Sequence, residues 1–245
     1  MCIRDSLCSK VSVFVDLFRK NRELEQQRAR FKAAAEEKSA QLDEALAEMR
    51  TAAHDLHEPL RTMKSFLELL EKQSEGQLDE DSQRFMAFAA NSATRMQGLL
   101  VALRRYTNLG QRTFATDRVS LETVLGNATD NLAALIAESK AAITHDPLPA
   151  VRGDAVQLTL VVQNLIFNAI KFRGSDTPQV HLSAQREADT WVISVADNGI
   201  GIPPELADQI FRLFVRLHPR EQYSGTGTGL AICKRIIARH GGEIW

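Results

Sequence analysis

The sequence predicts a protein in two parts, a helical part followed by a mixed α+β part. From about residue 20 to residue 50 the chain is rich in Glu, Gln, Arg, Lys and Ala and contains neither Gly nor Pro, a composition typical of a long helix. The stretch NLGQRTFATDR, which contains Gly110, interrupts the helical pattern. Beyond it, helical segments alternate with strand-like ones, so a domain boundary is expected near residue 112.

The overall composition excludes several classes of protein. The 245 residues include 30 basic and 31 acidic side chains without a basic stripe, so nucleic acid is not an expected partner. The longest apolar runs, such as Val11 to Phe18 with an Asp inside, are far shorter than the roughly 20 residues of a membrane span. The three cysteines are odd in number and lack metal-type spacing, which favours a reduced, cytoplasmic setting.

The N-terminal helix carries apolar positions with a heptad repeat. One seam falls at Leu17, Leu24, Phe31, Lys38, Ala45 and Ala52. A second seam falls at Ala35, Leu42, Met49 and Leu56. The repeat indicates a two-stranded coiled coil, but the charged residues Lys38 and Arg28 weaken this interpretation. A solvated single helix explains the first turns equally well.

A helical hairpin is predicted from about residue 45 to residue 108. The seam continues through Leu56, Leu60, Met63, Leu67 and Leu70 and then breaks at QSEGQLDED, where Ser74 and Gly76 mark a turn. The next helix carries an apolar stripe at steps of four and three, namely Phe85, Ala89, Ser92, Met96, Leu99, Leu103 and Tyr106. Two helices alone bury little, so the hairpin predicts a homodimer with a four-helix bundle.

The mixed part shows three further elements before its last helix. Residues Leu121 to Ala137 have helical periodicity, and Asp154 with Gln157 resembles a capping box that opens a helix through Phe172. The segment VHLSAQREADTWVISVADNG alternates apolar and polar residues around a turn and predicts a β-hairpin.

Polar residues recur along one face of the helix QLTLVVQNLIFNAIKF. Asn164, Asn168 and Lys171 follow each other at steps of four and three beside the apolar stripe. Asparagine contributes little to a helix interior unless its amide is used, and amide oxygens beside a lysine suit a hard cation and a phosphate. If no other motif accompanied these three residues, a polar helix face that forms hydrogen bonds with water would explain them as well.

Two glycine-containing segments indicate close approach of the backbone to a ligand. In DNGIGIP, Asp197 ends a strand and can accept a hydrogen bond from a ligand amine, while Gly199 and Gly201 permit a sharp bend, although such turns are common. In SGTGTGLAICKRII, Gly225, Gly227 and Gly229 lead into a helix, which favours phosphate binding at free amides. The polar run before Gly225 suggests a mobile lid over a nucleotide.

Taken in order, these motifs resemble those of the sensor histidine kinases over residues 45 to 245. HDLHEPLR is similar to the phosphoacceptor box, QNLIFNAIKF to the N box and DNGIGIP to the first glycine box. IFRLFVR is similar to the F box and GTGTGLAI to the second glycine box. The residues of these motifs most resemble those of soluble phytochrome-like members. The resemblance implies a dimeric hairpin followed by an α/β sandwich of the GHKL ATPases.

The resemblance also implies a role for each matching residue. His54 would take the γ-phosphoryl group of ATP and pass it to an aspartate of a response regulator, while Asp55 would orient the imidazole and accept its proton. Asn168 would bind Mg²⁺ next to Asn164 and Lys171. Phe172 and Asp197, near Gly199 and Gly201, would contact the base. Arg216 would contact the γ-phosphate, and the segment with Gly225, Gly227 and Gly229 would close over the triphosphate.

The expected organisation has three segments. Residues 1–44 form a tail and signalling helix, residues 45–111 the phosphoacceptor hairpin, and residues 112–245 the ATP-binding domain. Relatives continue beyond the position of Trp245, so the domain is expected to be truncated, and Glu58 stands where members with phosphatase activity commonly have Thr or Asn. Two alternative functions are a different GHKL ATPase and a catalytically silent dimerisation module. An alternative role for His54 and His57 is the binding of a metal ion.

Overall fold

A computed structural model of the chain describes residues 3–74, 79–109, 117–219, 222–223 and 225–245. Side chains are described from residue 25 onward within these ranges, except those of residues 35 and 39. The turn expected around Gly76 and the boundary expected around Gly110 lie outside the described residues, as do the side chains of Leu17 and Leu24. The chain forms two compact units, residues 1–51 and 52–245.

Two long helices make up the first part of the chain. Helix α1 spans Ile3–Gln73 and helix α2 spans Glu80–Asn108. Helix α1 continues through Pro59, although proline removes the amide that would bond the carbonyl of Asp55. Helix α2 starts at the N-cap Asp79, whose carboxylate accepts a hydrogen bond from the amide of Ser82 at 2.8 Å. No helix in the described ranges has the length and apolar character needed to cross a membrane.

The hairpin core within one chain differs from the expected stripe. Ala53, Leu60 and Leu100 are buried together, with Leu103 packed against them. Ala53 rather than Ala52 therefore faces α2. The larger members of the expected stripes are exposed, namely Leu56, Met63, Leu70, Phe85 and Met96. Periodicity identified an apolar face but could not separate the positions that close the hairpin from those that remain on its surface.

The second part is an α/β sandwich with the following elements. The strands are β1 (Asp117–Ser120), β2 (Ala142–His145), β3 (Ala150–Gly153), β4 (Gln179–Glu187) and β5 (Thr190–Asp197). The helices are α3 (Leu121–Asn131), α4 (Ala133–Ser139), α5 (Ala155–Lys171) and α6 (Gly229–Arg239), with a 3-10 turn at Pro204–Leu206. The helix expected over Leu121 to Ala137 is divided at Leu132.

The predicted β-hairpin is confirmed and forms part of a three-stranded sheet. Strand β4 pairs antiparallel with β5 and parallel with β2, while β1 and β3 form a separate antiparallel pair. Val180 and Leu182 of β4 are buried against Leu125 of α3 and against Ile166 and Ile170 of α5. This apolar layer between the sheet and the two helices fixes the position of α5, which carries the polar row.

Helix α6 packs on α5 and is fixed at its C-terminal end. The amide of Asp154 donates to Nε2 of His240 at 3.0 Å, and Nδ1 of His240 donates to the carbonyl of Ile236 at 2.8 Å. Asp154 also caps α5 by accepting from the amide of Gln157 at 3.0 Å, as the capping pattern predicted. The two helices are thereby held together at one end, while Lys171 and the glycine-rich segment lie at their other ends.

Candidate functional site

His54 lies on the surface of α1 with its neighbour Asp55. The side chain of His54 is 70% exposed, and its Nδ1 is 3.2 Å from Oδ1 of Asp55. With a proton on Nδ1 shared with this carboxylate, the lone pair of Nε2 points to solvent and can act as a nucleophile. No group of three or more His, Cys, Asp or Glu side chains in the described ranges could hold a metal ion, and this applies to His54 and His57.

The polar row of α5 faces the glycine-rich segment before α6. The side-chain amide of Asn164 donates to the carbonyl of Leu160 at 2.9 Å, which leaves its oxygen Oδ1 available. That oxygen would lie 3.2 Å from a Cβ placed on Gly229. Asn168 is half-buried one turn further along the same row. Two amide oxygens therefore line the side of α5 that approaches the start of α6.

The DNGIG turn is bound to the C-terminal end of α5. The amide of Ile200 donates to the carbonyl of Phe172 at 3.0 Å, and Gly199 forms a β-bridge with Arg173. Oδ1 of Asp197 accepts from the amide of Gly199 at 2.8 Å. A Cβ on Gly199 would lie 2.7 Å from Oδ1 of Asp197 and 2.8 Å from the carbonyl of Phe172, so only glycine fits here. The turn thus places Asp197 next to Phe172.

Three rings cluster at the end of α5. The centroid of the Phe172 ring lies 4.9 Å from that of Tyr223 and 6.0 Å from that of His218, and the last two rings are 5.4 Å apart. The ammonium group of Lys171 lies over the Phe172 ring at 4.3 Å from its centroid. His218 and Tyr223 were not predicted as site residues, although two rings in an otherwise polar segment were a signal for them.

Two cations converge on the start of the glycine-rich segment. Burial lowers the pKa of Lys171, and the nearby guanidinium of Arg216 lowers it further. A Cβ on Gly225 would lie 2.9 Å from Nζ of Lys171. Arg216 donates to the carbonyls of Gly225 and Tyr223 at 2.6 Å and 2.5 Å. Among the residues that the structure describes, neither Lys171 nor Arg216 forms an ion pair with a carboxylate, and two such adjacent cations suit a polyanion.

The glycine-rich segment enters α6 through a constrained turn. Gly227 has a φ of +72°, and its carbonyl accepts from the amide of Phe214 at 3.0 Å. The hydroxyls of Thr226 and Thr228 are 2.7 Å apart, and Thr228 is the buried N-cap of α6. The first amides of α6 have no partner within the helix, so they can bind an anion at the positive end of the helix dipole.

The structure therefore brings most of the predicted residues together. Lys171, Arg216 and Gly225 are adjacent, Asn164 adjoins Gly229, and Phe172 adjoins the turn of Asp197. Gly201 has a φ of +72° in that turn, as a glycine bend requires. His54 and Asp55 belong to the hairpin, on an element separate from this cluster. The arrangement combines this cluster of cations, amides and rings with an exposed histidine beside a carboxylate on the hairpin.

Two families match the chain over these regions. The family of histidine kinase-, DNA gyrase B- and HSP90-like ATPases matches residues 153–245. The His Kinase A phospho-acceptor domain matches residues 45–112. The fold and the site thus define a GHKL-type ATPase preceded by a phosphoacceptor hairpin, and the predicted fold class is confirmed.

Curated relatives and a solved structure point to the same family. Cyanobacterial phytochrome A of Nostoc sp. is 47% identical over 194 residues, which are 79% of this chain and 25% of the relative. Phytochrome-like protein Cph1 of Synechocystis sp. is 42% identical over 79% of this chain and 26% of its own length. Full-length ShkA, solved in complex with AMPPNP, is 25% identical over 80% of this chain and 41% of that one, with a TM-score of 0.55.

These findings identify the family. The chain belongs to the sensor histidine kinases, which confirms the resemblance stated from its motifs. It spans about a quarter of the length of the curated phytochromes that it matches.

Proposed function

We propose that the chain is an ATP-dependent protein-histidine kinase that phosphorylates its own His54. The observation that carries the proposal is the pairing of the exposed His54–Asp55 dyad with a nucleotide-type site in the same compact unit. Nε2 of His54 attacks the γ-phosphorus, a P–N bond forms, and the bond to the β-phosphate oxygen breaks to release ADP. Asp55 takes up the Nδ1 proton, so the phosphorylated imidazole remains neutral.

The base of ATP is assigned to the end of α5. Phe172 offers an aromatic face, and Asp197 offers a carboxylate beside it. Because Oδ1 of Asp197 already accepts from Gly199, its second oxygen is the one available for the exocyclic amine of adenine. These groups orient the nucleotide without taking part in bond formation.

The phosphates are assigned to the glycine-rich segment and its two cations. The backbone amides from Gly225 to Gly229 and the start of α6 donate hydrogen bonds to phosphate oxygens. Lys171 and Arg216 neutralise the charge that the triphosphate brings. Arg216 donates to the carbonyls of Tyr223 and Gly225 with two of its five N–H groups, so the guanidinium has further donors for an oxygen of the γ-phosphate.

The donor set of α5 fits a magnesium ion carried by the nucleotide. Mg²⁺ prefers oxygen ligands and usually keeps water and phosphate ligands beside one or two protein oxygens. Asn168 supplies such an oxygen from a half-buried position between Asn164 and Lys171. Bound there, the ion would supply further charge neutralisation on the phosphates.

The remaining parts of the proposal concern assembly and partners. The exposed apolar face of the hairpin, which includes Leu56, Met63 and Phe85, supports a homodimer through a four-helix bundle. Residues 1–44 serve as signalling helix, 45–111 as phosphoacceptor hairpin and 112–245 as catalytic domain. Phosphorylated His54 passes its phosphoryl group to an aspartate of a response regulator, in the cytoplasm. Glu58 in place of Thr or Asn disfavours the reverse, phosphatase reaction.

Incubation with γ-³²P-labelled ATP and Mg²⁺ tests the proposal. We expect an acid-labile, alkali-stable label that is absent from His54→Gln and retained by His57→Gln. The second variant is a matched control, since His57 is on the same helix three residues away. Label that persists in His54→Gln contradicts the assignment of the nucleophile.

A further inference from the structure

The C-terminal end of α2 packs against α6, the helix that follows the glycines assigned to the phosphates. Tyr106 and Leu109 contact the apolar cluster formed by Ile232, Cys233 and Ile236 of α6. Cys233 and Ile236 are fully buried in this cluster. The hairpin and the nucleotide-binding part therefore share an apolar contact that does not involve ATP.

Two arginines of α6 reinforce the contact with α2. The guanidinium of Arg235 lies 4.6 Å from the centroid of the Tyr106 ring, within the range of a cation–π interaction. Nη1 of Arg239 donates to the carbonyl of Leu109, just past the end of α2. Carbonyls at a helix C-terminus lack partners within the helix and carry partial negative charge, so a guanidinium stabilises this end.

The contact also fixes the direction in which α6 lies along α2. A Cβ placed on Gly98 would be 3.9 Å from the methyl group of Thr226. Thr226 thus lies beside Gly98, and Arg235 and Arg239 lie beside Tyr106 and Leu109, so the two segments run in the same direction. The glycine-rich segment at the start of α6 is therefore held against the earlier part of α2.

That part of α2 is close to the height of His54 on the hairpin. Leu100 packs in one cluster with Leu60 and with Ala53, the residue before His54. Gly98 precedes Leu100 by about 3 Å along the helix axis. Docking of α6 on α2 thus brings the phosphate-binding segment beside the hairpin near the level of the nucleophile.

We propose that Tyr106, Leu109, Arg235 and Arg239 form a clasp that positions the nucleotide phosphates for transfer to His54. The proposal rests on the kinase function proposed above. The four side chains are positioning residues, because each acts across the contact between α2 and α6 and none is assigned to the nucleotide or to His54. Their effect is expected on the rate of phosphorylation at saturating ATP and not on the affinity for ATP.

The test measures His54 phosphorylation and ATP binding in Tyr106→Leu, Tyr106→Phe, Arg235→Met and Arg235→Lys. Loss of the cation–π contact and of fixed orientation is expected to lower the saturated rate roughly tenfold in Tyr106→Leu and Arg235→Met. Tyr106→Phe keeps the ring and Arg235→Lys keeps a cation, so both should recover within about threefold of the parent rate. Arg118→Met removes an exposed arginine of β1 and serves as the control.

Each outcome decides between the clasp and another role. Unchanged ATP affinity with a lowered rate and recovery in the conservative variants supports the clasp. An unchanged or raised rate in Tyr106→Leu overturns it, as does a parallel loss of ATP affinity. If the parent chain binds ATP without labelling His54, the kinase function fails instead. Amide hydrogen exchange then still tests whether the contact between α2 and α6 exists. Unchanged exchange rates of residues 103–109 and 232–239 in Tyr106→Leu overturn the clasp.

Discussion

Replacement of Gly227 by alanine is expected to weaken ATP binding, because this position has no room for a side chain. A Cβ on Gly227 would lie 2.6 Å from the carbonyl oxygen of Val215 and 3.0 Å from the backbone of Phe214. Both neighbours are backbone atoms, so neither can turn away as the tip of a flexible side chain would. The φ of +72° adds strain of its own for any L residue.

The size of the effect follows from these two terms. A left-handed conformation costs alanine about 1–2 kcal/mol, and relief of the contact with Val215 must displace the turn that accepts the Phe214 amide. Since 1.4 kcal/mol corresponds to a factor of ten, the affinity for ATP should fall at least about tenfold. The amides that follow Gly227 are those assigned to the phosphates, so the displaced backbone is the binding surface itself.

Calorimetric titration with MgATP measures the effect against a matched control. Gly126 lies in α3, has an ordinary helical conformation, and offers open space to a Cβ. Gly126→Ala should keep the parent affinity and raise the free energy of unfolding by about 0.5–1 kcal/mol, since alanine favours a helix over glycine. Parent-like ATP affinity in Gly227→Ala would refute the assignment of the glycine-rich segment to the phosphates.

Two further predictions concern the core of the second unit. Ile166→Ala should lower the free energy of unfolding by about 2–5 kcal/mol in denaturant titration, because Ile166 is fully buried between α5 and the sheet, whereas Val156→Ala on the exposed face of α5 should leave it nearly unchanged. Burial raises the pKa of Cys233 from 9.0 to about 12, so native chain should resist alkylation at this thiol at pH 8 and react once unfolded. Because only the unfolded thiol ionises between these values, the free energy of unfolding should fall as pH rises above about 9, and Cys233→Ala should lose this part of the pH dependence. Rapid native alkylation of Cys233 or an unchanged pH profile in the variant contradicts the burial.

The parts of the fold with strong local signals were predicted from sequence. The cap of α5 at Asp154, the β4–β5 hairpin and the start of α6 at Gly229 each depend on a few adjacent residues, and the structure confirms them. Short strands β1, β2 and β3 were missed, because four residues carry too little periodicity to separate a strand from a loop.

The candidate site shows the same division between local and long-range information. Asn164, Asn168 and Lys171 share one helix face, so their proximity followed from spacing alone. The arginine Arg216 lies on the carbonyls of Tyr223 and Gly225, and no local pattern indicates which partners a long side chain takes in the folded chain. The clasp residues likewise become neighbours only when α6 packs along α2.

Hairpin packing was only partly predictable for a related reason. A helix of a bundle buries one side against its own chain and another against a second chain, and both sides are apolar. Phe85 and Met96 of the expected stripe are exposed in the single chain, while Ala53 and Ala93, which lie outside the expected positions, are buried. The periodicity of apolar residues therefore shows that a helix has an apolar side, but it does not show which residues pack within the chain and which pack against a second chain.

The central claim, that His54 is the phosphorylated residue, is tested most directly by locating the phosphate. After incubation with MgATP, the chain is digested at alkaline pH and the peptide that contains His54 and His57 is fragmented by mass spectrometry under conditions that preserve phosphohistidine. The account predicts one phosphoryl group, on His54. A phosphate on His57 or on a hydroxyl residue, or none in a chain that binds ATP, would contradict it.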